Sequence, residues 1–358
     1  MLLFVGSYSA GFGNGLRTFD FDLQTGALRQ IAAVEDAIDP IYFALSADKR
    51  FLYAAENVSS WIDNPKKPGG ISVYAIGKDG AALARIGSLA LAPTVPCHIS
   101  LSPDGTKLAW AEYRTAHVGI CSVDPATGIL EPLASVHHTG GHGPNPIRQE
   151  APHAHFAHFT PDNQDLLVCD LGMDRVFDYR YDDQYRVLRH VVPSRDFAAS
   201  PGYGPRHLAF LPETPYAYLV CELASTIHTL RLSPTADPES LDSHSLLPDG
   251  FSGETKAAAI RISPDGRWVL ASNRGHDSIA AFRIDPETKC LTPGPISKLA
   301  GSFPRDFVFS PDGRFIVSAH KMDDSFATYA FDAETGALAP TGHVISGMNK
   351  PLCFQFFG

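Results

Sequence analysis

Pro96–Glu112 (PCHISLSPDGTKLAWAE), Ala257–Asn273 (AAAIRISPDGRWVLASN) and Pro304–His320 (PRDFVFSPDGRFIVSAH) are three copies of one unit. Each holds an alternating apolar run, the turn Ser-Pro-Asp-Gly, and a second apolar run that ends in a polar residue. Period-two alternation on both sides of a tight turn predicts a β-hairpin. In that turn Pro presets φ, Asp bonds its own backbone and Gly accepts a positive φ. Weaker copies centre on Ser46, Thr160 and Leu211. With Ser102, Ser263 and Ser310 they make anchors that recur roughly every fifty residues.

A third strand follows the hairpins, as in Ile71–Ile76 (ISVYAI), Ile279–Ile284 (IAAFRI) and Phe326–Phe331 (FATYAF). Asp-rich turns come next, at Asp124–Gly128 (DPATG), Asp285–Lys289 (DPETK) and Asp332–Gly336 (DAETG), before a short outer strand. Several strands per unit at this period predict a β-propeller. The six anchors, taken in order, define blades one to six. The chain ends supply the seventh: Pro351–Phe357 (PLCFQFF) reads as a first strand, Leu2–Ser7 (LLFVGS) as a second, and Phe19–Gly26 (FDFDLQTG) as a third with its turn. The expectation is an all-β, seven-bladed β-propeller, one domain over residues 1–358. Its ring closes by pairing the C-terminal strand with N-terminal strands in one blade, leaving no open edge between the first and last blades.

A hydrophobic share of 44% suits a globular core, and a net charge of −10 argues against nucleic acid as a partner. No apolar run is long enough to span a membrane. The opening MLLFVGSYSAG lacks a basic leader and reads as a strand. Cys97, Cys121, Cys169, Cys221, Cys290 and Cys353 lack metal-ligand spacing. They are expected as small buried residues in a reducing cytoplasm. The pattern leaves oligomeric state open.

Function in a propeller belongs at the channel mouth, where equivalent positions converge. The second strands end in Ser7, Glu56, Glu112, Asp170, Glu222, Asn273 and His320. These are expected either as a polar ring at one mouth or as strand ends that hydrate a tunnel. The first strands open with His98, His155, Arg206, His207 and Arg305. Basic and acidic groups meeting in a cleft shift one another's pKa and hold anions. Gly140–His155 (GGHGPNPIRQEAPHAH) is too long for a tight turn and is expected as a lid or wall, carrying His142, Arg148, Gln149, His153 and His155. His153 and His155, on one side of a strand, also admit a metal-binding reading. Blade four adds Gly204–His207 (GPRH) and Glu222, and blade five adds Ser272–Asp277 (SNRGHD) with Arg274.

At these residues the chain resembles the lactonase family of seven-bladed propellers, which includes propeller-type 6-phosphogluconolactonases and fungal carboxy-cis,cis-muconate cyclases. The matching segments are GPNPIRQEAPHAH, Cys169–Tyr179 (CDLGMDRVFDY), Gly204–Phe210 (GPRHLAF), Ser272–Phe282 (SNRGHDSIAAF) and Phe303–Gly313 (FPRDFVFSPDG). The resemblance implies a catalytic set of His155, Arg206, Glu222 and Arg274, with His153 the alternative histidine, and a site without metal or other cofactor. One departure is His320-Lys321, where related sequences often carry Asn-Gln.

The leading expectation is hydrolysis of a sugar-acid lactone, with 6-phosphogluconolactone first. His155 or Glu222 would activate water, and Arg206 and Arg274 would hold the substrate anion or the developing oxyanion. His153, His207, Arg148, Asp170, Asn273 and Arg305 are candidate substrate contacts, with Arg305 and Lys350 the phosphate candidates. No Gly-x-Ser-x-Gly elbow is present, which favours direct water attack over an acyl-enzyme. The partner implied is a small anionic lactone or carboxylate, not nucleic acid or membrane. The competing readings are a carboxymuconate-type lactonising cycloisomerase, a calcium-dependent lactonase using Glu56, Glu112, Asp170, Glu222 and Asn273, and a non-catalytic interaction propeller.

Overall fold

Each Ser-Pro-Asp-Gly turn closes a hairpin in the computed structural model, which describes residues 1–9, 13–58, 68–191 and 195–358. In blade two, Ser102 Oγ donates to Asp104 Oδ1 at 2.6 Å, and the same oxygen accepts Thr106 N at 3.0 Å. Gly105 holds φ +69°, which L side chains rarely adopt. Blades five and six repeat the Ser-to-Asp bond at Ser263–Asp265 (2.5 Å) and Ser310–Asp312 (2.6 Å). The repeated motif therefore encodes the turn chemistry itself.

The strands form seven antiparallel sheets, each ordered from channel to rim as first, second, third and fourth strand. Blade three carries an additional short strand, Phe197–Ala198, on Arg175–Asp182. In blade seven, Pro351–Phe357 pairs with Leu2–Ser7, in register Leu2↔Phe357 and Val5↔Phe354, followed by Leu16–Phe21 and Leu28–Val34. The predicted closure is the observed one. The innermost strands of successive blades pack against each other all the way round.

The core lies between blades. Tyr53 and Val73 of blade one meet Ile99 and Trp110 of blade two in one apolar cluster, and Tyr218 of blade four meets Ile260 and Phe282 of blade five in another. Burying such a side chain contributes about 1.5–3 kcal/mol, so each blade is stabilised chiefly by its neighbours. Among the described residues no helix is long and apolar enough to cross a membrane.

Candidate active site

Antiparallel pairing sets the start of each first strand beside the end of its second: Ala154 faces Asp170, Pro205 faces Cys221, Lys256 faces Arg274 and Pro304 faces His320. In these four blades the register breaks at that point, between Ala154/Phe156, Pro205/His207, Ala257/Ile260 and Pro304/Phe307. A β-bulge re-aims side chains. His155, Arg206 and Arg305 lie within these bulges and line a cleft of about 460 Å³ at this mouth, with Arg148, Glu222 and Arg274.

Glu222 is the centre of the cleft. Arg148 Nη2 donates to its Oε1 at 2.5 Å, and Arg206 Nε and Arg274 Nη2 reach its Oε2 at 2.9 and 2.8 Å. The carboxylate is fully buried. Burial alone would raise its pKa, but Arg274, Arg206 and Arg148 together hold it far below the usual carboxylate range. The guanidiniums are themselves fixed. Arg206 Nη1 donates to Ala258 O at 2.5 Å, inside the blade-five bulge, and Arg274 donates to Lys256 O at 3.2 Å and Ala257 O at 2.8 Å. Arg274 also lies 5.3 Å over the Phe303 ring, and Arg148 lies 5.5 Å over Tyr113. Burial first, then neighbouring Arg274, brings the Arg206 pKa down to about 9. Three cations on one carboxylate leave this cleft positive in a chain of net charge −10.

His155 stands beside the clamp. Its Nδ1 is 3.9 Å from Cys97 Sγ. Burial, followed by the Arg206 charge, holds its pKa well below 6.5, so the ring is neutral at neutral pH. The Cys97 thiol is pushed up to about 12, mainly by burial, and does not serve as a thiolate nucleophile. Deeper in the channel His207 lies 5.2 Å from both His155 and His98, ring centre to ring centre. Its Nε2 is buried without a hydrogen-bond partner.

The loop that begins at Gly140 forms a wall: Gln149 Nε2 donates to Leu171 O at 2.8 Å and anchors Arg148 next to it. His153 is turned away from the cleft, stacked on Tyr113 at 4.3 Å with Nδ1 2.9 Å from Tyr113 O. Asp170 instead accepts His153 N at 2.8 Å and Met173 N at 3.0 Å, and meets His138 Nδ1 at 2.6 Å. Asn273 donates to Leu246 O at 3.0 Å. Glu56 pairs with Arg85 at 2.7 Å. Glu112, which borders the cleft, takes bonds from Thr94, Thr115 and Arg114 N. So the second-strand ends do not converge as a ring. Glu222 reaches the clamp, while several others hold the turns that follow them. The carboxylates proposed as calcium ligands are dispersed to separate partners, and the described residues include no group of three or more His, Cys, Asp or Glu placed to hold a metal. Tyr8 and Tyr113 also border the cleft. Sequence reasoning passed over them because an aromatic after a strand end reads as packing.

Comparison with known proteins places the chain in a family. The family described as Lactonase, 7-bladed beta-propeller, matches residues 2–356. The 6-phosphogluconolactonase of Bacillus subtilis (strain 168) is 32% identical over 307 residues, 86% of this chain and 84% of that one. Among solved structures, the periplasmic gluconolactonase PpgL of Pseudomonas aeruginosa has a TM-score of 0.91 at 29% identity, covering 100% of this chain and 99% of that one. A protein from Lactobacillus plantarum gives 0.87 at 28% identity, with 100% and 99% coverage.

Proposed function

Because this chain belongs to the lactonase family of seven-bladed β-propellers and is thus a lactone-hydrolysing carboxylic ester hydrolase, we propose that it hydrolyses 6-phosphogluconolactone at the Glu222 clamp by metal-free attack of water. The observation that carries this reading is His155 lining one cleft with three guanidiniums locked on one buried carboxylate.

His155 takes a proton from water as the oxygen bonds to the lactone carbonyl carbon. The carbonyl oxygen becomes an oxyanion and is met by Arg206 Nη2 and Arg274 Nη1, the guanidinium nitrogens not committed to Glu222 or main-chain carbonyls. Collapse breaks the ring C–O bond, and the leaving oxygen takes the proton back from His155. Water and lactone thus become one hydroxy acid. Glu222 is not the base, because both of its carboxylate oxygens are taken up by Arg148, Arg206 and Arg274. Its role is to fix the guanidiniums before substrate arrives and to favour the transient imidazolium of His155.

The six cysteines are unpaired and five are buried, which supports a reducing cytoplasm as the compartment. The test is hydrolysis of freshly generated 6-phosphogluconolactone, with spontaneous hydrolysis subtracted, in the presence and absence of a chelator. Acceleration that survives chelation is expected. Loss of activity on chelation contradicts the metal-free step, and no acceleration contradicts the substrate.

A further inference from the structure

Towards blades six and seven the cationic surface continues, and among the described residues its charges form no ion pairs. Arg305 borders the cleft and makes no ion pair among the described residues. Lys321 opens the short turn Lys321–Asp323 directly after His320. Its Nζ stands 5.6 Å from the ring centre of Tyr8, a cleft residue, and 5.8 Å from that of Phe303, the ring that also carries Arg274. Lys350 adjoins them, with its carbonyl accepting Tyr8 N at 3.4 Å.

The nearby acids are engaged elsewhere. Asp323 accepts Ser302 N at 2.5 Å and Ser302 Oγ at 2.7 Å. Asp324 accepts Lys350 N at 2.8 Å, and Asp277 accepts Phe303 N at 2.8 Å. None forms an ion pair with Arg305, Lys321 or Lys350. Burial first, then Arg305, Arg274 and Lys350, brings the Lys321 pKa down to about 8. The backbone nearby is strained as well: Phe303, Asn349 and Lys350 hold φ of 61°, 48° and 58°. Strain at non-glycine residues tends to gather at ligand-binding positions.

Crowded like charges without counter-ions cost folding energy that a bound anion relieves. A phosphate monoester carries about −1.5 to −2 at neutral pH and offers several acceptor oxygens, against a single charge on a carboxylate. We propose that Arg305, Lys321 and Lys350 form a second subsite that takes the terminal phosphate of the substrate, and that Lys321 sets the preference for a phosphorylated over an unphosphorylated sugar lactone. The inference rests on the lactonase reading for its substrate but makes a separate claim about binding.

The test uses the stable ring-opened acids. Calorimetric titration of 6-phosphogluconate and gluconate into the wild type, Lys321→Gln, Lys321→Glu and Arg305→Gln reads the ratio of the two affinities, with circular dichroism confirming the fold. The wild type is expected to prefer 6-phosphogluconate. Each neutral substitution should cut that ratio about tenfold, the scale of one charge-assisted hydrogen bond, and Lys321→Glu should cut it further. Equal affinities in the wild type, no binding of 6-phosphogluconate, or an unchanged ratio in the folded variants overturns the subsite. A clear preference in a protein that hydrolyses no lactone supports the subsite and removes the lactonase reading.

Discussion

Glu222 organises the site because a buried carboxylate with three guanidiniums has one low-energy arrangement. Glu222→Gln leaves Arg148, Arg206 and Arg274 close together without their counter-charge. The expected cost is about 3–5 kcal/mol in denaturant unfolding, with kcat/KM falling at least about a hundredfold. A variant with wild-type stability and rate would remove Glu222 from its role. His155 gives a pH prediction. Its folded pKa lies well below 6.5, and the neutral ring is the active form, so kcat/KM should stay level as pH falls through 6.5 and drop only well below it. An inflection near 6.5 would assign the proton transfer elsewhere. The same shift at His98, His155 and His207 means that the unfolded chain binds more protons. Their contribution to stability is present above 6.5 and is lost as pH falls below it. At this scale the sequence was a partial guide. Arg148, His155, Arg206, Glu222, Arg274 and Arg305 do meet in one cleft. Asp170 and Glu222 end equivalent strands and look alike in the sequence, yet Asp170 binds Met173 N three residues on and Glu222 binds arginines from three other strands or loops. A strand-end acid carries the same local signature in both uses.

At the scale of the element, the legible features are local and the illegible ones are not. Ser-Pro-Asp-Gly states its own turn, and alternation states its strands. The bulges at His155, Arg206 and Arg305 share no single marker in the sequence: Pro205 and Pro304 directly precede two of them, and Ala154 precedes the third. The Asp-rich turns have a second use that the repeat hides: they lock neighbouring blades. Gly336 of blade six lies against Trp268 of blade five, and Gly128 of blade two lies against Phe51 of blade one. A Cβ at Gly336 would come within 2.6 Å of the Trp268 ring, at φ +77°. Gly336→Ala should therefore lower stability by about 1–3 kcal/mol while leaving kcat/KM within twofold. Equal midpoints in a denaturant titration would show that the turn does not hold the ring.

The whole molecule is a closed ring, and its ends are joined by Pro351–Phe357 lying between Leu2–Ser7 and the channel. The repeat period predicts this because a seven-bladed count needs strands from both ends. We take residues 1–358 as a single cooperative unit. Removing residues 351–358 exposes the edge of Leu2–Ser7 and uncovers Phe4, Phe21 and Val5, so the truncated chain is expected to aggregate. Recovery of a soluble, active truncated protein would contradict closure as the source of stability. Closure also gives the site its rigidity, because Arg148, Arg206 and Arg274 approach Glu222 from the wall loop and from blades four and five. The most direct measurement is therefore kcat/KM for freshly generated 6-phosphogluconolactone in chelator, comparing the wild type with a folded Arg274→Ala. The account predicts clear acceleration by the wild type and a loss of at least about a hundredfold in the variant. Wild-type turnover by Arg274→Ala would contradict the clamp as the seat of catalysis.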